Sequence, residues 1–150
     1  MNPEQYHTDP NCLFCKILNG TIPSKIVYSD YHCIAFLDIR PVNHGHVLVV
    51  PRHHHKDIRE LPGEFAALVA TVIPNLARAV VQATCADGFN IIINNGLVAG
   101  QTIFHGHWHI IPRFLNDSVD WPWPHKAYSD EDKDQMALLI EQALESQKTD

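Results

Sequence analysis

The sequence predicts one α+β domain, in which about five strands form a mainly antiparallel sheet with a central helix and a C-terminal helix. Three observations predict this class. A chain of 150 residues fits a single domain. Five short β-branched or apolar runs are joined mostly by short links, as antiparallel strands are. Two further segments carry apolar residues at helical spacing, one in the middle of the chain and one near its end.

The strands are predicted from runs of β-branched and apolar residues. They cover residues 25–29, 33–37, 46–50, 89–94 and 102–112. Pro51 ends the third run, and the segment 38–45 before it contains Pro, Asn and Gly, which predicts a loop. A Gly-containing loop over 95–101 leads into the last strand.

Three helices complete the prediction. A short helix covers residues 12–18, with Asn11 as its cap and Asn19-Gly20 as its stop. The central helix covers 61–84, and Pro74 is expected to kink or divide it. The last helix begins at Ser129 with a start similar to a capping box. Its predicted buried stripe consists of Met136, Leu139, Ile140, Ala143 and Leu144.

Composition narrows the function classes. The net charge of −6 argues against binding along a nucleic-acid backbone, which needs a Lys/Arg surface. No signal peptide and no stretch of membrane-spanning length is expected, so we expect no membrane partner. Four cysteines are too few for a disulfide scaffold, which predicts a reducing, cytoplasmic location. Residues 1–150 are expected to form one domain, with ends 1–11 and 146–150 disordered and 116–150 a C-terminal extension.

Three histidines alternate in the last predicted strand. His105, His107 and His109 would point to one face, and Gly106 and Trp108 to the other. Three imidazoles on one face are costly to bury unless each has a partner. The residues alone leave open an exposed polar face, a metal site and a catalytic site.

Polar loops precede these histidines. Asn94-Asn95-Gly96 and Gly100-Gln101-Thr102 offer amide and hydroxyl donors on a backbone that glycine makes permissive. Donors of this kind can cradle a phosphate. The loops therefore favour a phosphate-binding site beside the histidines.

The sequence resembles the histidine triad (HIT) family. The matching stretches are residues 100–113 around the three histidines, residues 36–51, and the opening Cys12-Leu13-Phe14-Cys15. Together they span about residues 12 to 115 and imply a HIT-like fold. One departure is Gly106, where the family usually has an apolar residue; glycine there predicts a looser strand or a close backbone neighbour.

The resemblance implies roles for particular residues. His107 would be the nucleophile that attacks a nucleotide α-phosphate, and imidazole, with an ordinary pKa near 6.5, is largely neutral at cell pH. His109 would contact the phosphate oxygens or the leaving group. His46 would lie beside the triad, and we expect a backbone carbonyl near it to fix the tautomer of His107. The remaining substrate-binding residues would be Asp38 on the ribose, Ile39 on the base, and Asn94, Gln101 and Thr102 on the phosphate and leaving group.

A metal site is a separate expectation. Cys12 and Cys15 have the Cys-x-x-Cys spacing that suits zinc, although free thiols remain the alternative. The zinc-containing subset of the family implies a closed, structural site of Cys12, Cys15, His54 and His105, with His53 or His55 as alternatives to His54. Cys33 and Cys85 are expected to be buried filler.

The resulting hypothesis is a nucleotide hydrolase that acts through a nucleotidyl-histidine intermediate, with dinucleoside polyphosphates as the expected substrates. Adenosine phosphoramidates are the alternative substrates. A regulatory nucleotide-binding module with little turnover and a pure zinc protein are alternatives of other classes. The resemblance also implies a homodimer, and Trp121 and Trp123 are expected either at that interface or over the chain's own core.

Overall fold

A computed structural model describes residues 6–120 and 123–147. The elements in chain order are α1 (Leu13–Leu18), β1 (Ile26–Ser29), β2 (Cys33–Leu37), β3 (Val47–Pro51), α2 (Gly63–Thr84), β4 (Gly88–Ile92), β5 (Trp108–Arg113) and α3 (Asp130–Ser146). A short 3₁₀ turn, Leu97–Ala99, lies in the loop between β4 and β5. The predicted disorder of the two ends falls partly on residues outside the described range and stays a prediction.

The five strands form one sheet in the order β1-β2-β3-β5-β4, and every pairing is antiparallel. This confirms the predicted fold class. β5 reaches the sheet interior because the long helix α2 separates β3 from β4, which allows β4 to take the edge. β3 therefore pairs with β5, with Leu48 opposite His109.

The two faces of the sheet are covered differently. On one face, β2, β3 and β5 pack against α2 and α3 through residues such as Val49, Ile110 and Leu76. On the other face, α1 packs its Phe14 and Ile17 on β2 and β3. Because α1 covers only part of the second face, that face can hold a site next to it.

The last predicted strand is shorter than expected. β5 begins at Trp108, so of the three histidines only His109 lies on the strand, and His105 and His107 precede it in irregular backbone. The expectation of a regular three-histidine strand is therefore wrong. At Gly106 the N–H donates to the His55 carbonyl at 2.7 Å, and this cross-connection replaces ladder pairing.

The helices differ in detail from their predictions. Cys12, not Asn11, is the N-cap of α1, and its side chain makes no capping bond. Pro74 does not divide α2, which is continuous over 22 residues. Ser129 caps α3 as predicted and accepts from the Asp132 N–H at 3.1 Å. The buried stripe of α3 includes Ala137 with Ile140 and Ala143, while Leu139 is only half-buried.

Two expectations from the sequence are wrong: that no stretch of the chain has membrane-spanning length, and that Cys85 is buried. Helix α2 is long and apolar enough to cross a membrane by length and composition alone, a test that the core helix of a soluble protein also passes. Its buried residues, among them Val69 and Leu76, pack on the sheet and on α3. Cys85 is exposed rather than buried, because it is the left-handed C-cap of α2, with φ 54°.

Candidate active site and metal centre

Four buried histidines meet on the α1 side of the sheet: His46, His105, His107 and His109. The rings of His107 and His109 are 4.8 Å apart between centroids, and those of His46 and His109 are 5.1 Å apart. Phe14 from α1 stands edge-on to His107, at 5.0 Å and 88°. The structure therefore brings the predicted histidines together. It also adds Phe14, which lies between Cys12 and Cys15 and whose contact with His107 cannot be predicted from the spacing of the cysteines.

The tautomer of His107 is set by backbone. Its Nδ1 lies 2.6 Å from the His105 carbonyl oxygen, which can only accept, so Nδ1 carries the proton. Burial lowers the pKa of His107, so the ring is neutral at physiological pH and Nε2 holds an unshared lone pair. The expected carbonyl near His46 is thus wrong, because the acceptor is the main chain of His105 itself.

His46 and His109 form a directed pair. The Val42 N–H donates to His46 Nδ1 at 3.2 Å, so the proton of neutral His46 is on Nε2. That N–H donates to His109 Nδ1 at 2.9 Å and leaves the proton of His109 on its own Nε2. Burial lowers the pKa of both histidines to about 3, which keeps the pair neutral.

Asp38 completes this side of the site. Its carboxylate lies 3.7 Å from His46 Nδ1, a distance at which an ion pair would form if His46 were charged. The Val42 N–H occupies that nitrogen and burial disfavours the cation, so the contact is not an ion pair. Asp38, His46 and His109 could in principle share a metal, but the bond between the two histidines makes them a hydrogen-bonded network.

The other predicted substrate residues are spread around this network. Ile39 follows β2 and is 71% exposed, and Thr102 is exposed. Asn94 is buried just after β4. Gln101 is buried with its amide bonded to three backbone groups, the Gly96 N–H and the carbonyls of Lys56 and Ile103. These contacts position the loop, so the predicted contact of Gln101 with substrate stays a prediction.

Cys12, Cys15, His54 and His105 form a second buried cluster, and their ligand atoms all lie within 4.8 Å of one another. His105 Nδ1 is 3.5 Å from Cys12 Sγ and 3.7 Å from Cys15 Sγ, and His54 Nδ1 is 3.4 Å from Cys15 Sγ. Tetrahedral zinc with ordinary bond lengths separates sulfur and nitrogen ligands by roughly 3.6 Å. The cluster therefore has the dimensions of a four-coordinate metal site.

The Nε2 atoms of His105 and His54, which face away from the cysteines, are consistent with metal binding through the Nδ1 atoms. His105 Nε2–H donates to the Pro51 carbonyl at 2.9 Å, which leaves Nδ1 free to bind a metal. His54 Nε2 lies 4.0 Å from the Asp9 carboxylate. Burial raises the pKa of Cys15 to about 11, so metal binding would release a proton from that thiol. His54 rather than His53 or His55 joins the cluster; His53 Nδ1 instead accepts from the His7 N–H at 3.4 Å.

Fold and site together define a protein with a neutral, oriented histidine, His107, beside a Cys₂His₂ cluster on an antiparallel α+β scaffold. The chain belongs to the HIT family: the HIT domain model matches residues 19–116. This places it among nucleotide hydrolases.

Individual relatives agree with the family assignment. Adenylylsulfatase HINT3 of Arabidopsis thaliana is 44% identical over 73% of this chain, which corresponds to 55% of the HINT3 length. Adenosine 5'-monophosphoramidase HNT1 of Saccharomyces cerevisiae is 36% identical over 76% of this chain and 72% of its own. A zinc-bound histidine triad protein from Mycobacterium smegmatis has a similar crystal structure, with a TM-score of 0.84 and 36% identity over 93% of this chain and 96% of that one.

Proposed function

We propose that this protein hydrolyses adenine nucleotides at the α-phosphate, with His107 Nε2 as the nucleophile. The observation that carries the proposal is the 2.6 Å contact from His107 Nδ1 to the His105 carbonyl. It holds the proton on the far side of the ring and directs the lone pair of Nε2 into the site. A neutral imidazole fixed in this way needs no further deprotonation before it attacks phosphorus.

The reaction has two steps. His107 Nε2 forms a bond to the α-phosphorus, and the leaving group departs with the electron pair of its bond to phosphorus. Sulfate and polyphosphate leave as anions, whereas the nitrogen of a phosphoramidate takes a proton from solvent and leaves as ammonia. Water then attacks the same phosphorus, breaks the N–P bond and releases the nucleoside monophosphate, while the proton lost by water goes to solvent. The His105 carbonyl stabilises the positive charge that develops on the His107 ring in the first step, and the second step removes this charge as the N–P bond breaks.

The surrounding residues fit the substrate's parts. The exposed Ile39 can pack on the base, and the Asp38 carboxylate can accept from ribose hydroxyls. His109 Nε2–H can donate to a phosphate oxygen or to the leaving group. Asn94, Gln101 and Thr102 are proposed to face the phosphate and the leaving group from the loop after β4.

Small leaving groups are the first candidates. Two relatives are named for an adenylyl sulfate and for an adenosine phosphoramidate activity, and both substrates carry a small group on AMP. Diadenosine polyphosphates, expected from the sequence, are the second candidate. The three substrates share the same attack by His107 and differ only in what leaves.

The experiment compares hydrolysis of adenosine 5'-phosphoramidate, adenosine 5'-phosphosulfate and diadenosine tetraphosphate by wild type and His107→Ala. We expect the variant to lose at least about a thousandfold in kcat while it still binds AMP. His32→Ala, which changes a histidine outside the site, should keep full activity. Mass spectrometry of base-quenched wild type should show one AMP bound to His107. Binding of AMP by wild type without turnover of any substrate would contradict the proposal and favour a regulatory module.

We also propose that Cys12, Cys15, His54 and His105 hold one structural zinc ion. The donor set is the soft, nitrogen- and sulfur-based one that zinc prefers, and its ligand spacings suit a tetrahedral ion. When bound, the ion would tie α1 to the segment that carries the nucleophile. With four protein ligands it would have no open position for substrate, which is typical of a structural role.

We further propose a homodimer that forms through β4. This strand is at the edge of the sheet and exposes Phe89 and Ile91. Together with Ile73, Ala77 and Val81 of α2, they line a mostly apolar groove of about 590 Å³. An edge strand with exposed apolar side chains is a template for pairing with another strand, and a second copy would supply one of the same composition.

A further inference from the structure

The segment 123–128, here called the C-terminal strap, lies along the loop 38–45 and is bonded to it repeatedly. The bonds are Lys126 N–H to the Pro41 carbonyl (2.7 Å), Lys126 Nζ to Asn43 Oδ1 (2.7 Å), His125 Nδ1–H to the Arg40 carbonyl (3.0 Å), His44 Nε2–H to the Ala127 carbonyl (3.0 Å) and Gly45 N–H to Tyr128 Oη (2.6 Å). Tyr128 also stacks on His44, with ring centroids 4.4 Å apart. The strap is therefore fixed to the loop that begins at Asp38 and ends just before His46.

Asn43 anchors this arrangement from inside the protein. Its side chain is buried, and Nδ2 donates to the Pro112 carbonyl at 2.9 Å and to Asp117 Oδ2 at 3.0 Å. Its Oδ1 accepts from Lys126. One buried amide thus connects the end of β5, the turn after it and the strap, so the position of the strap is tied to the strand that carries His109.

The strap brings Trp123 against the histidine pair. The indole stands edge-on to His109 at 5.3 Å and 71°, and to His46 at 6.4 Å and 89°. An indole in this position covers the pair with a large apolar surface. The hydrogen bonds of the strap therefore hold Trp123 on the side of the site where His46 and His109 lie.

His109 has an N–H donor, at Nε2, that makes no hydrogen bond among the residues that the structure describes. Because His109 Nδ1 accepts from His46, the proton is on Nε2. That nitrogen is buried and has no hydrogen-bond partner among the residues that the structure describes. A buried N–H without a partner is costly, so its persistence calls for an explanation.

We propose that Trp123 is a positioning residue that keeps water from His109 Nε2–H, so that this donor meets only the phosphate or the leaving group of the substrate. The proposal rests on the proposed function, which makes His107 the nucleophile next to it. A donor that is already oriented and desolvated stabilises developing charge without reorganisation. His109 transfers no proton: its N–H remains on Nε2, and the leaving group departs with the electron pair of its bond to phosphorus. The nitrogen of a phosphoramidate takes the proton that it needs from solvent.

The test measures kcat and KM for the substrate that wild type hydrolyses best, with Trp123→Ala, Trp123→Phe and Tyr128→Phe. We expect Trp123→Ala to lower kcat by about tenfold, less than removal of such a donor altogether would cost. Its affinity for AMP should stay within about twofold, since charge develops mainly in the transition state. Trp123→Phe should recover most of the wild-type kcat. Tyr128→Phe, which loosens the strap, should have a kcat between those of Trp123→Ala and wild type. Leu115→Ala changes a highly exposed residue of the same connection and is the control.

A second measurement does not depend on turnover. The Nε2–H resonance of His109, assigned by its loss in His109→Gln, should be visible in a ¹H–¹⁵N spectrum of wild type and should exchange rapidly with water in Trp123→Ala. Slow exchange in that variant, unchanged kcat, or a loss confined to KM and AMP affinity would each overturn the role of Trp123. Absence of turnover in wild type would instead overturn the proposed function, and the exchange measurement would still decide whether Trp123 shields His109.

Discussion

Main-chain groups decide which ring nitrogen carries the proton in three of the four central histidines, His46, His105 and His107. Carbonyls of Pro51 and His105 accept from His105 and His107, respectively, and the Val42 N–H donates to His46. His109 takes its tautomer from His46. At the residue scale, therefore, hydrogen bonds to neighbouring groups prepare the same side-chain type for three proposed roles, a metal ligand, a nucleophile and a hydrogen-bond donor.

The buried pair His46 and His109 predicts a dependence of stability on pH. Their pKa values lie near 3 in the folded protein, below the ordinary value of 6.5. The unfolded chain therefore binds protons first, so stability is full above about pH 6.5 and falls as the pH decreases toward 3. Each histidine can contribute a slope of up to about 1.4 kcal/mol per pH unit.

Urea unfolding between pH 7 and pH 4.5 measures this slope. The double variant His46→Gln, His109→Gln should lose less stability than wild type over the same range, whatever its stability at pH 7. Equal slopes would show that these two histidines are not held neutral in the folded protein.

Alanine substitutions at two glycines next to the site should differ in how much they destabilise the protein. Gly45 has φ +92°, and a Cβ there would meet the Thr84 side chain. At Gly106 a Cβ would lie 3.4 Å from the nearest Asp57 backbone atom, an ordinary contact. We expect Gly45→Ala to destabilise the protein by roughly 2 kcal/mol or more, and Gly106→Ala by less than about 1 kcal/mol.

Thermal melts of the two glycine variants check this prediction, and activity per folded molecule should be retained in Gly106→Ala. A large loss at Gly106 would mean that the Asp57 backbone cannot move by the little that a methyl group requires. The site would then depend on a closer approach than the contact distance indicates.

At the scale of elements, α1 is held in place by its packing on the sheet and by the cysteine–histidine cluster. It has only six residues, a length that is not stable alone, and its cap Cys12 makes no capping bond. Phe14 and Ile17 pack it on the sheet, and the cysteines join it to His54 and His105. The cap and stop residues predicted this short helix, and the Cys-x-x-Cys spacing marked its cysteines as candidate ligands. The family resemblance indicated His54 among three adjacent histidines, and the structure places His54 in the cluster.

Metal removal should therefore destabilise the protein. We expect chelation, or Cys12→Ser, to lower the free energy of unfolding by roughly 3 kcal/mol or more, because binding a structural ion contributes directly to folding. Melting with and without chelator, together with metal analysis, measures the effect. Cys85→Ser is the matched control, since Cys85 is exposed. If wild type contains well under one equivalent of zinc and does not respond to chelator, the metal proposal fails.

At the scale of the whole molecule, one edge of the sheet remains to be covered. Among the residues that the structure describes, β4 pairs only with β5, and its Phe89 and Ile91 are 45% and 43% exposed. We expect light scattering to give the mass of a dimer for wild type. Ile91→Lys should shift it toward the monomer, because the charge would be buried without a partner at the proposed interface.

A surface lysine elsewhere provides the comparison for this dimer test. Tyr31→Lys changes a residue that is 69% exposed in the turn between β1 and β2, and should leave the mass unchanged. A monomeric wild type would refute the dimer through β4 but would leave the proposed chemistry of one chain intact.

The order of residues was enough to predict the α+β class and the approximate strands and helices, and the family resemblance indicated the histidines and cysteines that the structure brings together. The elements follow from local signals, which are β-branched runs, helical periodicity and Ser129 as a cap. Three features are visible only in the folded chain: β5 begins at Trp108, the His105 carbonyl orients His107, and Trp123 lies against His109. These features depend on contacts between distant segments and on backbone groups, which are the same in every residue and therefore leave no trace in the order of side chains.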